Sequence, residues 1–200
     1  VVSIGPLQAR ERRDATRVLA RAFRDNPLSQ AVIGPRDAAR RLRCNTHGMR
    51  ALLPVAERHG VALAARRKGR IAGVLVATPP FGYPLPPPPL PARLRCLAGQ
   101  GWRVSQRWAQ VFDAVSALHP PEPHAYLGLL GVDPALQGQG LGATLLGRWL
   151  EQSGPRSHPA YLETDRPENV RFYARAGFAV EGEITLFDVR VWRMRRPAQA

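Results

Sequence analysis

Three glycines alternate with larger residues in Gly138-Gln139-Gly140-Leu141-Gly142, between a strand-like run, Ala125–Val132, and a helix-like run, Gly140–Gln152. Glycine lets the backbone turn tightly and approach a ligand with no Cβ in the way. A helix that begins there offers unpaired N–H groups and the positive end of its dipole. Gln137 to Gly142 therefore reads as a cradle for a pyrophosphate. Two better-known phosphate loops are excluded. The chain has no GxxxxGK[ST], and GxGxxG would need a further glycine where Ala143 and Leu145 stand.

The elements around this loop follow from periodicity. Arg10 to Phe23 carries Ala15, Val18, Leu19, Ala22 and Phe23 at helical spacing, and Asp25-Asn26-Pro27 breaks it. A second helix is predicted over roughly Asp37 to Glu57, with Leu42, Met49, Leu52 and Leu53 inward and Pro54 kinking or shortening it. Val61–Ala65 and Ile71–Ala77 read as a hairpin about the turn Arg66–Arg70. Residues 79–91 hold eight prolines and read as a stiff extended connector. Gln100 to Leu118 is predicted helical, its stripe of Val104, Trp108, Val111, Phe112, Val115 and Leu118 turned to the core. Trp102 and Trp108 thus read as core or pocket wall. After Ala125–Val132 and its helix come a strand at Ala160–Thr164 and a short helix at Glu168–Ala176. Strands at Phe178–Glu181 and Leu186–Met194 follow. The short helix has Pro167 near its start and Gly177 at the place of a left-handed cap. A strand–helix–strand unit of this length implies a parallel crossover. The expected architecture is one α/β domain over 1–200, a mixed twisted sheet with helices on both faces. A Pro-rich and helical insertion fills 79–123.

Gln137-x-x-Gly140-x-Gly142, after a strand ending Gly131-Val132-Asp133-Pro134, resembles the coenzyme A signature of the GCN5-related (GNAT) N-acetyltransferases. The stretch Leu162-Glu163-Thr164-Asp165, then Asn169-Val170-Arg171-Phe172-Tyr173-Ala174-Arg175-Ala176-Gly177-Phe178, is similar to that family's second motif. The Glu122-Pro123 turn looks most like the puromycin N-acetyltransferase branch. The match is strong over residues 123–195; residues 1–78 fit the expected order of elements without a motif. The resemblance implies an acyl-CoA fold with a splayed central parallel pair, with acetyl-CoA as acyl donor and an amine-bearing acceptor. It implies that Gln137, Gly138, Gln139, Gly140, Leu141 and Gly142 bind the pyrophosphate through their amides. The pantetheine arm would pair with the backbone of Leu130 to Val132. Asn169 would bond the arm, and Tyr173 would reach the sulfur. In one departure, many relatives place the asparagine seven residues before the tyrosine, whereas here the interval is four. That spacing sets Asn169 and Tyr173 on one helix face.

Direct attack of a neutral amine on a thioester sets three tasks. A backbone N–H, that of Leu130 or Val132, can stabilise the oxyanion. Tyr173 can protonate the leaving sulfur, a transfer near balance for a thiol at ~8.5 and a phenol at ~10. An alkylamine at ~10.4 must be deprotonated, an α-amine at ~8 much less so. No Asp or Glu lies on Tyr126–Val132, so Glu163 is the leading candidate base, directly or through a water, with His124 second.

The net charge of +14 is the loudest compositional feature, and Lys68 is the only lysine among 29 basic residues. Many arginines, such as Arg36, Arg40, Arg41 and Arg43, fall on faces expected to be exposed. A basic surface suits nucleic acid, but the chain lacks a helix-turn-helix or zinc-finger signature and its aromatics sit in apolar stripes. A phosphate-rich cofactor would benefit from the same field. A non-catalytic acyl-CoA-binding module, a longer acyl donor and an oxygen acceptor stay open. Cys44 and Cys96 stand alone, forming neither a disulfide framework nor a zinc site, and no metal is expected. No apolar run approaches the ~20 residues of a membrane span, and the opening residues do not read as a signal peptide, so the expected compartment is the cytoplasm. Oligomeric state is not encoded in any motif here.

Overall fold

Seven strands pair into one sheet because the chain alternates apolar strand segments with amphipathic helices that cover both faces. The computed structural model describes residues 2–152 and 158–198. In chain order the elements are β1 (Val2–Pro6), α1 (Arg12–Ala22), α2 (Pro27–Ile33), α3 (Ala38–His59), β2 (Val61–Arg67) and β3 (Arg70–Thr78). Then come α4 (Leu90–Gln100), α5 (Trp102–Ser116), β4 (Ala125–Val132), α6 (Leu141–Gln152), β5 (Ala160–Thr164), α7 (Pro167–Ala174), β6 (Ala179–Leu186) and β7 (Val189–Arg196). The strand order is β1-β2-β3-β4-β5-β7-β6. β4 and β5, joined through α6, are parallel, and the other five neighbouring pairs run antiparallel.

The hydrophobic residues divide by face. Leu63, Leu75, Leu127 and Leu162 pack with Leu145, Leu146 and Trp149 of α6, Tyr173 of α7 and Phe178. Ala64, Val74 and Val76 pack on the opposite face with Leu19 of α1 and Leu53 of α3. β2 and β3 are thus covered on both sides, which is why they read as unbroken apolar runs. A third cluster joins Val32 and Ile33 of α2 to Cys44, Val104 and Val111, and draws in Phe187 from the β6–β7 turn.

Several expectations need correction. The first hairpin turn is two residues, Lys68 and Gly69, both at positive φ, because Arg66, Arg67 and Arg70 pair as strand. β6 and β7 likewise meet across Phe187-Asp188, both left-handed and neither a glycine. β1 was not anticipated: Gly5 and Pro6 disguise it, yet a proline is tolerated on an edge strand. α1 already ends at Ala22, and Pro27 instead opens α2, taking a first-turn position where a missing N–H costs nothing. α4 emerges from the proline run at Leu90. In α5, Val104 and Val111 are buried, but Phe112 is 63% exposed and Trp102, outside the stripe, 65% exposed, so neither belongs to the core. Pro54 sits inside an α3 that continues to His59. Arg41 is buried, and its guanidinium donates to the carbonyls of Arg24, Gly34 and Pro35 and to Asp25. Arginine at that position pins the α2–α3 connection instead of facing water.

Candidate active site

The parallel pair comes apart almost as soon as it forms. β4 and β5 are in register only from Ala125–Leu127 against Ala160–Leu162. On the other side of β4, Ala77 faces Leu127 and Val76 faces Leu129, so Gly128 is an unpaired bulge. The bulge rotates the strand: Leu127 and Leu130 both join the α6 face although they are three residues apart. Gly128 on β4 and Glu163 on β5 are the first residues past the fork.

The Asp133 N–H donates to Ala72 O at 2.8 Å, continuing the β3–β4 register. Residues in an antiparallel ladder alternate between facing the partner and facing away. Asp133 and Gly131 therefore turn to β3, and Leu130 and Val132 direct their N–H and C=O groups into the gap. The Gln137 side-chain amide donates to Val132 O at 3.1 Å, which fits that phase and closes the outer end of the strand.

The glycine loop lies directly beyond. Gly138 and Gly140 have φ of +75° and +79°, and no atom lies within 4 Å of a Cβ at either position. Gly140 O accepts from the Thr144 N–H and from Thr144 Oγ1, both at 3.0 Å, so Gly140 stands at the N-cap of α6. The N–H groups of Leu141, Gly142 and Ala143 fall in the first turn, where no intrahelical acceptor exists. Gln139 accepts from the Arg67 guanidinium, and Asp133 is paired with Arg21 of α1. A groove of about 400 Å³ runs from Gln139 and Leu141 to Thr144 and Arg148.

On the α6 face, Tyr173 is buried in α7 against Phe172 and Phe178. Its hydroxyl has no hydrogen-bond partner among the described residues. Burial first, then the Asp165 carboxylate, pushes the phenol well above its usual range. Asn169, one turn earlier, donates to Thr164 Oγ1 at 3.0 Å and so ties α7 to the end of β5. Asp165 accepts from Leu28 N at 2.9 Å and from Asn26 at 3.3 Å, which fixes α2 against the same strand end.

Ala160 and Leu162 face α6, so alternation puts Tyr161 and Glu163 on the opposite face. There Glu163 meets a cluster of aromatic and imidazole rings. His119 Nε2 lies 3.5 Å from Glu163 Oε1, and both side chains are under one-tenth exposed. Tyr83, from the proline run, stacks on His119 at 3.6 Å and 6°, and Tyr126 and Tyr161 close the other sides. Burial raises the Glu163 carboxyl to about 7, against the opposing pull of Tyr126, Tyr161 and Arg193. Burial, with the neighbouring His124, lowers His119 to about 4. His124 is buried behind His119, 3.0 Å away, and does not itself contact Glu163 in the described hydrogen bonds. Sequence reasoning missed Tyr83 and His119. A tyrosine amid prolines and a histidine before Pro120 carry no pattern that points across 40 or more residues of chain to a strand end. A separate hollow of about 540 Å³ between α3 and α4 is lined by His47, Arg50, Arg95 and Cys96 and lacks a carboxylate.

A family profile described as acetyltransferase (GNAT) family matches residues 20–178. Among solved structures, the chain is similar to a histone acetyltransferase HPA2 and related acetyltransferase from Corynebacterium glutamicum. That likeness has 24% identity and a TM-score of 0.73, covering 100% of this chain and 97% of the other. PaiA N-acetyltransferase from Thermoplasma acidophilum, solved with coenzyme A, is 14% identical at TM-score 0.62 over 98% and 99% of the two chains. Drosophila melanogaster polyamine N-acetyltransferase, which forms N-acetylagmatine, is 16% identical at 0.64 over 98% and 99%. The structural likenesses speak for the fold. The profile spans most of the sequence, and the chain accordingly belongs to the acetyltransferase (GNAT) family.

Proposed function

We propose that the protein transfers an acetyl group from acetyl-CoA to the amine of a small molecule by direct attack on the thioester. The observation that carries this reading is the fork, where β4 and β5 cease to pair beyond Leu127 and Leu162, with Tyr173 on one face of the sheet and Glu163 on the other. A thioester threaded there presents its sulfur to the phenol and its carbonyl carbon to the carboxylate side. The amides of residues 137 to 142 hold the pyrophosphate at the outer end. Leu130 and Val132 pair with the pantetheine amides and supply an N–H for the oxyanion. Asn169, already bonded to Thr164, has its carbonyl oxygen left for the arm. Glu163 takes a proton from the acceptor ammonium. The amine attacks, the C–S bond breaks, and Tyr173 donates to the departing sulfur; the second proton, lost from the attached nitrogen, restores the phenol through solvent. The Tyr83–Tyr126–Tyr161 ring cluster around one carboxylate supports a compact amine with an apolar or planar body. The polyamine and agmatine acceptors of structurally similar enzymes support an amine in the same role. Cys44 and Cys96, both free, suit a reducing compartment such as the cytoplasm.

The decisive experiment couples calorimetry of coenzyme A with an acetyl-CoA consumption screen over amines, amino acids, antibiotics and peptides. Micromolar cofactor binding and thiol release with at least one amine are expected. Cofactor binding with no thiol release from any amine would leave a binding module, and no cofactor binding would remove the reading altogether.

A further inference from the structure

His124 sits immediately before β4 and His119 in the turn after α5, so the insertion delivers two imidazoles to the buried carboxylate at the fork. With both rings neutral, their hydrogen bonds set which nitrogens carry protons. The Glu122 carbonyl can only accept, so the 2.8 Å contact with His124 Nδ1 requires a proton on that nitrogen. A neutral His124 then offers Nε2 as an acceptor, and the 3.0 Å contact must be donated by His119 Nδ1. Burial keeps His119 neutral through the physiological range. Its Nε2 is left as a bare lone pair, buried, 3.5 Å from Glu163 Oε1, which is also buried. Neither atom has another hydrogen-bond partner among the described residues. Two facing acceptors repel each other and are satisfied together by a single proton between them.

We propose that His119, locked in one tautomer by His124 and the Glu122 carbonyl, is a positioning residue that makes Glu163 an avid proton acceptor. It offers a lone pair that only the protonated carboxyl can satisfy. The proposal deepens the acetyl-transfer reading and rests on it for the identity of the proton. In the step itself an N–H bond of the acceptor ammonium breaks and a Glu163 O–H bond forms. The electron pair stays on the amine nitrogen, which becomes the nucleophile. The carboxyl then closes onto His119 Nε2, shortening a contact that is long while the carboxylate is ionised. Its proton passes to solvent before the next turnover. The other groups facing Glu163 act the opposite way or are neutral. Arg193, across the β5–β7 register, favours the carboxylate, and so do the phenols of Tyr126 and Tyr161. Tyr83 bonds Ser116 Oγ at 2.6 Å and holds the His119 ring by stacking. The histidine is thus the one neighbour in the cluster whose geometry rewards protonation.

The test needs no acceptor. Imidazole 15N shifts of the full-length protein should show His119 neutral, with its proton on Nδ1, between about pH 6 and pH 8. A carboxyl 13C titration of Glu163 should have its midpoint lowered by about one pH unit, a tenfold loss of proton affinity, in His119→Phe, which keeps a ring against Tyr83. An Nε2-protonated or doubly protonated His119 in the parent overturns the proposal whether or not the variant folds. An unmoved Glu163 midpoint in a folded His119→Phe overturns it too. Absence of acetyl transfer from every amine would strike the proposed function and leave these two measurements standing.

Discussion

Burial suits Tyr173 and Glu163 to the opposite tasks proposed for them. The phenol, pushed up by desolvation, stays protonated throughout the working range and is a donor only. The near balance expected from solution values of thiol and phenol does not survive burial on the tyrosine side alone. It is restored only if the departing thiolate is desolvated beside it and rises as well. Tyr173→Phe should lower kcat by roughly 10²–10⁴ with the coenzyme A dissociation constant unchanged, because the proposed role calls on the hydroxyl only as sulfur charge develops. Unchanged turnover would take Tyr173 out of the mechanism. Glu163 makes a prediction readable without turnover. Its folded-state value near 7 stands above the ordinary 4.5, so the native state holds this proton more tightly than the unfolded chain. That contribution is fully present below 4.5 and is lost as pH rises through 7. A glutamine cannot titrate. The stability of Glu163→Gln relative to the parent should therefore grow between pH 5 and pH 8, by on the order of 3 kcal/mol at most. Urea melts with the same pH dependence in both proteins would show that Glu163 is not held protonated by the fold.

Elements turn these residues into a site, and they were unequally legible in the sequence. The β4–loop–α6 unit and the α7 segment were readable because their signals are local: apolar runs end in glycines, and Pro167 and Gly177 bracket a helix. The bulge at Gly128 was not, since a bulge is defined by its partner strand. Nor were Tyr83 and His119, which reach Glu163 through a connector whose path composition does not specify. Arg41 was misread for the same reason: helical periodicity says which face a residue occupies, not that three carbonyls wait there. The glycine loop offers a paired test at this scale. Gly140 and Gly101 have φ of +79° and +84°, and neither has an atom within 4 Å of a would-be Cβ. Alanine at either should cost about 1 kcal/mol for the left-handed backbone alone. Only Gly140→Ala sets a methyl group where the pyrophosphate is proposed to lie, so only that variant should weaken coenzyme A, by roughly tenfold or more. Calorimetry giving both variants the parent's affinity would move the diphosphate elsewhere.

At the scale of the whole molecule, the unexplained quantity is the net charge of +14. Ion pairs hold some of the 29 cations and leave the net excess untouched: Arg12 pairs with Glu57, Arg66 with Glu11, Arg41 with Asp25, and Arg195 with Glu122 and Glu181. These links join α1 to α3, the first hairpin to the turn before α1, and the insertion to the β6–β7 pair. They are a framework for the fork, and none is a nucleic-acid groove. The excess still creates a positive field, and the groove along α6, whose wall carries the Arg148–Glu151 pair, opens into it. A field of that sign concentrates a phosphate-bearing cofactor in proportion to its range, which salt shortens from roughly 20 Å or more to below 10 Å as ionic strength rises from about 20 to about 200 mM. The KM for acetyl-CoA should therefore rise across that interval, by up to roughly tenfold, while kcat holds, because the fork is buried and largely unscreened. Duplex DNA should lose its affinity over the same salt range and, competing for the field alone, should raise KM without touching kcat. A salt-independent KM would leave the arginine excess without a part in cofactor capture. A DNA complex that persists at about 200 mM salt and ignores acetyl-CoA would assign that excess to a polyanion partner instead.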